Sequence, residues 1–314
     1  MPRLSDLAFA AFLALIAWIA LATKHPYVLF PELGALGWVI FSDAGHPWSR
    51  SPLPVMVTPL LTGAVGLAVA RTLPYGPAAM LLAVAGSLIV VAVLRSPVIP
   101  ALSAGILPLA LGIQSWEYPL SLLIGTAGLA LLILLRRSTR QMQGLDDPEG
   151  PASERAASGR LPVLGSWLPG YTLFVMGGLL LVHLLGSPLV LFPPLFVMAF
   201  ERIAHASQCS WRRRPFTVLV TANAAALVGL GLEMTLGVTP LAVFLAALVG
   251  VVLLRATRLP FPPALGMVLL PFVIHQPSWL FPVHTLVGTA WLLLLVALWE
   301  RGFFRRLVAW NRLN

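Results

Sequence analysis

Long apolar runs alternate with short polar, proline-rich joints along most of the chain. Eight runs approach the ~20 residues that an α-helix needs to cross the hydrocarbon of a bilayer. They are Leu7–Ala22, Val55–Leu73, Ala78–Leu94, Pro119–Leu135, Tyr171–Leu185, Phe216–Leu232, Leu241–Leu254 and Val283–Trp299. Four shorter runs lie between them, each led or interrupted by proline: Val28–Phe41, Val98–Ile113, Leu189–Ile203 and Pro262–Ile274. A helix of about 14 residues reaches only about 21 Å, short of the roughly 30 Å core. The pattern predicts an all-α polytopic membrane protein of about twelve segments. The four short segments either cross as broken helices with some extended backbone or dip in and return.

Charge separates those two options, because cytoplasmic loops collect Lys and Arg. With twelve crossings and the N-terminus inside, 18 of the 20 Lys and Arg residues fall inside, and only Lys24 and Arg71 fall outside. With the short segments re-entrant, the same 20 residues divide 11 to 9. The expectation is therefore twelve crossings with both termini cytoplasmic, in a bacterial inner (plasma) membrane. Composition agrees: 59% of the 314 residues are hydrophobic and 10% charged, against roughly 25% charged in soluble domains. The net charge of +9 then follows from topology and does not call for nucleic acid; the partner it implies is the lipid bilayer. Arg3, the first apolar run and Ala20-Leu21-Ala22 resemble a cleavable leader. Cleavage would leave an odd number of crossings, so this run is read as the first membrane helix.

The chain repeats itself. Val28-Leu29-Phe30-Pro31-Glu32-Leu33 returns 162 residues later as Val190-Leu191-Phe192-Pro193-Pro194-Leu195. Pro100-Ala101-Leu102, Trp116, Gly125 and Thr126 return at an offset of 163 as Pro263-Ala264-Leu265, Trp279, Gly288 and Thr289. Matching Pro, Trp, Gly and Thr at one constant offset points to two copies of a six-crossing unit, residues 1–137 and 167–314, joined by a polar cytoplasmic linker over 138–166. An even number of crossings per copy makes the repeat parallel, related by an axis along the membrane normal. A Pro-x-Leu start recurs in the middle of each three-segment group, which points to a nested inverted repeat.

Candidate chemistry sits at the starts of the four short segments: Pro31, Glu32, Leu33 and Gly34; Pro100, Ala101, Leu102 and Ser103; Pro193, Pro194 and Leu195; and Pro263, Ala264, Leu265 and Gly266. A helix that begins inside the membrane presents unpaired N–H groups and a positive dipole end, which suit an anion. These ends are predicted to group around a cavity between the second, fifth, eighth and eleventh segments. Glu32 is the best-placed carboxyl for proton coupling or gating, since an intramembrane ionisable side chain is costly. Glu201 and Arg202 are expected to pair locally at the interface. Thr217, Thr221 and Asn223 are expected to bond between helices, and His183, His275 and His284 to lie near the outer surface. No metal-ligand spacing, cofactor fingerprint or enzyme motif is found, and the single Cys209 gives no disulfide framework. The expectation is a protein without cofactor, metal or catalytic residue.

The motifs resemble the HPP family of integral membrane proteins. Its small-apolar stretch followed by Ser-Pro-Leu is similar to Gly34–Phe41 and Ser51-Pro52-Leu53. Its His-Pro-Pro-Ala-Gly-Ala element is similar to Ile99-Pro100-Ala101-Leu102-Ser103 and to Pro262-Pro263-Ala264-Leu265-Gly266. The histidine position holds Val98 in one copy and Phe261 in the other. The resemblance spans roughly 30–135 and 190–300 and implies transport of a small inorganic anion such as nitrite. The residues alone leave two classes open: a transporter or channel for a small solute, or a membrane scaffold whose prolines only shape the bundle.

Overall fold

Proline sets where many of the helices begin. In the computed structural model, which describes residues 3–142 and 164–301, six helices open at a proline, whose fixed φ and missing N–H cost nothing in a first turn. The first half contains α1 (Leu4–Thr23), α2 (Leu33–Ser42), α3 (Pro52–Thr72), α4 (Pro77–Val93), α5 (Ala101–Leu111) and α6 (Glu117–Met142). The second contains α7 (Leu164–Leu185), α8 (Pro193–Ile203), α9 (Pro215–Leu236), α10 (Pro240–Thr257), α11 (Pro263–Leu269) and α12 (Leu280–Glu300). No strand occurs among the described residues. Of the expected linker, 138–142 continue α6 and 164–166 open α7; the rest, 143–163, lies outside the described residues, as do 1–2 and 302–314.

Seven helices are long and apolar enough to cross a membrane: α1, α3, α6, α7, α9, α10 and α12. The sequence reading counted eight long runs; α4 stops at 17 residues, below a full span. The surface has the polarity of a membrane protein. Leu15, Trp18, Ile89, Leu131, Leu180 and Val252 point outward, while Thr58, Thr62, Ser87, Thr126, Thr221 and Thr289 are buried. In water that arrangement would waste apolar area; in lipid, small polar residues inside let backbones approach and bond.

The same close contacts recur 163 residues apart. A Cβ added to Gly66 on α3 would lie 1.9 Å from the Gly105 carbonyl oxygen of α5, and one added to Gly229 on α9 would lie 2.1 Å from the Val268 oxygen of α11. Gly125 packs on the Val28 oxygen as Gly288 packs on that of Val190. Between halves, α1 runs along α10 and α7 touches α4, while α5 meets α8 and α11 meets α2. One of the two outer seams is bolted: buried Asp6 on α1 pairs with Arg255 on α10 at 2.5 Å.

The two copies part at one proline. Pro108 has no N–H for the Ala104 carbonyl, and the Tyr118 hydroxyl donates to that oxygen at 2.6 Å instead, so α5 stays helical through the proline. The equivalent of Tyr118 is Phe281, which has no hydroxyl, and here the α-helix ends at Leu269 and tightens into a 3₁₀ turn over Leu270–Phe272 around Pro271.

Candidate functional site

The four short helices are the most buried elements of the fold, and all fifteen sequence-predicted site residues are buried with them. Their N-terminal ends converge. Glu32 and Ala35 of α2, Pro100 before α5, Pro194 and Val197 of α8, and Pro263 and Gly266 of α11 share one cavity. Backbone proximity makes this possible: a Cβ on Gly34 would lie 2.6 Å from the Leu265 oxygen across the junction, and Gly266 faces Pro31 and Pro194. Pro31, Leu33, Gly34, Ala101, Leu102, Ser103, Pro193, Leu195, Ala264 and Leu265 sit in the same four helix starts without lining the cavity itself. The cavity is small, about 10 Å³, which is about the room one water molecule requires.

The expected anion-binding N–H groups are not free. Leu33 N–H donates to Phe30, Gly34 N–H to Pro31 and Leu36 N–H to Glu32; Ala101, Leu102 and Ser103 donate to Val98, Ile99 and Pro100. Leu195 donates to Phe192, and Ala264 and Leu265 donate to Phe261 and Pro262. Tight turns before each helix therefore absorb the orphan donors, and the paired prolines at 193–194 and 262–263 remove others outright. Only the dipole ends remain directed at the cavity.

Glu32 is 2% exposed and neither carboxyl oxygen finds a hydrogen-bond partner. Ser103, on the facing turn of α5, lies beside it and is unpartnered as well. Among the described residues no Lys, Arg or His lines the cavity, but a second carboxyl, Glu201 of α8, does. Glu201 does not pair with Arg202. It accepts from Trp211 Nε1 at 3.3 Å, while buried Arg202 reaches Glu300 at 2.8 and 3.1 Å, which Arg212 also contacts at 2.8 Å. A planar guanidinium matched to a carboxylate across helices is the stronger geometry, and it frees Glu201 to face inward.

Glu201, Trp48 and Pro262 also line a vestibule of about 470 Å³ that opens beside Asp43, His46, His205 and Cys209. Those three residues thus form the septum between vestibule and cavity. Trp48 is held there by its indole N–H, which donates to the Pro97 oxygen at 2.8 Å. His46 Nδ1 accepts from the Trp48 N–H, so His46 is neutral as placed, and burial holds its pKa below the ordinary value. Burial lowers His205 likewise and pushes the Cys209 thiol up to about 12, leaving it unreactive at neutral pH.

The vestibule lies on the arginine-rich face. Arg214 bonds the Arg258 oxygen, Arg137 bonds the Arg50 oxygen, and Arg202 and Arg212 share Glu300 there. At the opposite face Arg71 bonds the Gln114 oxygen and lies over Trp116, and His25 contacts Glu117 at 3.3 Å.

Other expectations needed correction. Thr221 Oγ1 and Asn223 Oδ1 are buried without partners, so they make no interhelical bond. His284, in the second turn of α12, is 7% exposed and bonds Ser187 at 3.2 Å, a contact the sequence did not announce. Trp48, Glu201 and Pro262 were missed as site residues. The one signal for Trp48 was an aromatic ring in the otherwise polar stretch between α2 and α3. Compared with known proteins, the chain matches no family model, no curated protein and no solved structure.

Proposed function

We propose that the chain is a twelve-crossing inner-membrane transporter with a parallel internal duplication, moving a small solute through the junction of its four short helices together with a proton. The observation that carries this reading is the placement of two carboxyls, Glu32 and Glu201, on one cavity that residues from all four short-helix segments line. Ionised and unpaired, Glu32 would cost several kcal/mol at this depth; carrying a proton, it costs far less. A small anion such as nitrite, which the resemblance to the HPP family suggests, would be repelled by a charged Glu32 and accepted beside a protonated one. Solute and proton then travel as a neutral pair. The vestibule supplies the approach from the arginine-rich, cytoplasmic face, and Trp48 with Glu201 forms the inner barrier. In this reading the small cavity, about 10 Å³, is the occluded state of the pathway.

The test is uptake into proteoliposomes across a panel of small oxyanions including nitrite, with the protein shown to be folded by its thermal transition. Uptake of at least one solute above protein-free vesicles supports the reading. The small cavity also favours a second reading, a scaffold with a dry interior; absence of uptake across the whole panel would favour it.

A further inference from the structure

One carboxyl from each half of the chain lines the junction cavity, Glu32 from α2 and Glu201 from α8. Neither belongs to the repeated pattern. At an offset of 162, Glu32 answers to Pro194 and Glu201 to Val39; at 163, Ser103 answers to Gly266. The two acids are therefore placed independently, and the fold brings them to one cavity. Glu32 is 2% exposed and Ser103 fully buried, and none of their three side-chain oxygens has a hydrogen-bond partner. The cavity measures about 10 Å³, about the room of a single water. A buried carboxyl with two unpartnered oxygens on a space of that size has the polar groups an ordered water bonds. Glu201 has a different outlook, because it lines the vestibule as well as the cavity.

We propose that one water in this cavity joins Glu32 to Glu201, that the two carboxyls hold a single proton between them, and that this proton exchanges with the vestibule through Glu201. The proposal deepens the transport reading and rests on it for its use, while its geometry stands apart from any solute. Two carboxylates on one small, largely apolar cavity do not both ionise without a large cost. The transfer balances: the O–H bond of protonated Glu201 breaks as its proton passes to the water. The water gives up another proton to the Glu32 carboxylate, where a new O–H bond forms, and is itself unchanged. Other titratable groups frame the pair without replacing either member. Of the helices packed against α2 and α8, α5 and α11 carry no titratable side chain. Helix α1 brings Asp6, paired with Arg255. Helix α6 sets Tyr118 near Glu32, and its Arg136 bonds the Ile40 oxygen at the far end of α2. Helix α7 directs the Tyr171 hydroxyl to the Phe196 oxygen, and α12 brings His284, bonded to Ser187, and Glu300, which takes up Arg202. On the vestibule side, Asp43, His46, His205 and Cys209 share the space that Glu201 lines.

The test is infrared spectroscopy of the full chain in detergent, which separates the C=O stretch of a protonated carboxyl group from the carboxylate bands. At neutral pH the unaltered protein is expected to show a protonated-carboxyl band that Glu32→Gln lacks. Transfer to heavy water shifts this band as the proton exchanges. Glu201→Gln keeps an oxygen for the Trp211 N–H but cannot carry a proton, and should slow the shift about tenfold or more. An equal exchange rate in Glu201→Gln and the unaltered protein would overturn the proposal, as would absence of the band at neutral pH. Should Glu201→Gln fail to fold, the titration of the unaltered protein decides. Two carboxyls sharing a proton lose their protons in two steps more than about one pH unit apart, and a single two-proton step would overturn the proposal. Slowed exchange in a protein that takes up no solute would leave the carboxyl pair standing and remove the transport reading. Solute uptake with unslowed exchange would do the reverse.

Discussion

Glu32 carries electrostatic tension in the junction, because it is buried and, among the described residues, no cation lines the cavity it faces. Glu32→Gln keeps the shape and removes the proton site. It is expected to flatten the pH dependence of uptake while changing the maximal rate much less; initial rates between pH 5.5 and 8 measure this, and an unchanged profile would leave Glu32 structural. The vestibule histidines give a separate pH effect on stability. Burial holds His46 and His205 below their ordinary value of 6.5 in the folded chain, so the unfolded chain takes up protons first as pH falls. Stability is fully present above about 6.5 and declines on acidification, with Asp43 and Glu201 in the same vestibule partly opposing the loss. Protonation of His46 would also break its bond from the Trp48 N–H. Thermal transitions at pH 7.5 and 5.5 should show a drop that shrinks in a His46→Gln, His205→Gln double variant; an undiminished drop would assign the effect elsewhere. Glu32 was legible in the sequence because an ionisable residue stands out in an apolar run. Trp48 was not, because its ring reaches the junction from a stretch that reads as a loop. Glu201 was legible as a residue but misread as a partner for Arg202, since sequence proximity hid Glu300, 98 residues away.

Helix starts and breaks were the most readable elements, and proline made them so. The positions of α2, α5, α8 and α11 follow from Pro31, Pro100, Pro193 and Pro263 within a residue or two. Their hydrogen bonding did not follow, because proline also shapes the turn before each helix, and that turn consumes the N–H groups. The difference between α5 and α11 shows what decides such a case: Tyr118 supplies the hydrogen bond that Pro108 withholds, and Phe281 cannot. Tyr118→Phe should leave the buried Ala104 oxygen unpaired and cost about 1–3 kcal/mol, visible as a lowered transition in detergent; no loss would mean that the helix tolerates Pro108 unaided. Gly66→Val should cost at least as much, since even a Cβ would overlap the Gly105 backbone, and Gly229→Val should behave alike if the two copies pack equivalently.

At the scale of the whole molecule, the contacts exchange between halves as a twofold relation requires: α5 with α8 answers α2 with α11, and α1 with α10 answers α7 with α4. The matches at a constant offset of 163 were readable in the sequence, whereas the Asp6–Arg255 pair that joins α1 to α10 was not readable from either half alone. The proposed orientation rests on charge polarity. In a Cys209→Ser background, Arg95→Cys and Arg258→Cys, both exposed, should react with an impermeant thiol reagent only from the cytoplasmic side, and Lys24→Cys only from outside. Labelling of both arginine positions from outside would refute the twelve-crossing arrangement.

The central claim, that solute and proton pass together through the four-helix junction, is tested most directly by the pH inside proteoliposomes while a transported solute is added outside. The account predicts internal acidification that requires the solute, keeps a fixed ratio to its uptake, and disappears in Glu32→Gln. Solute entry without proton movement, or acidification equal in Glu32→Gln and the unaltered protein, would contradict it.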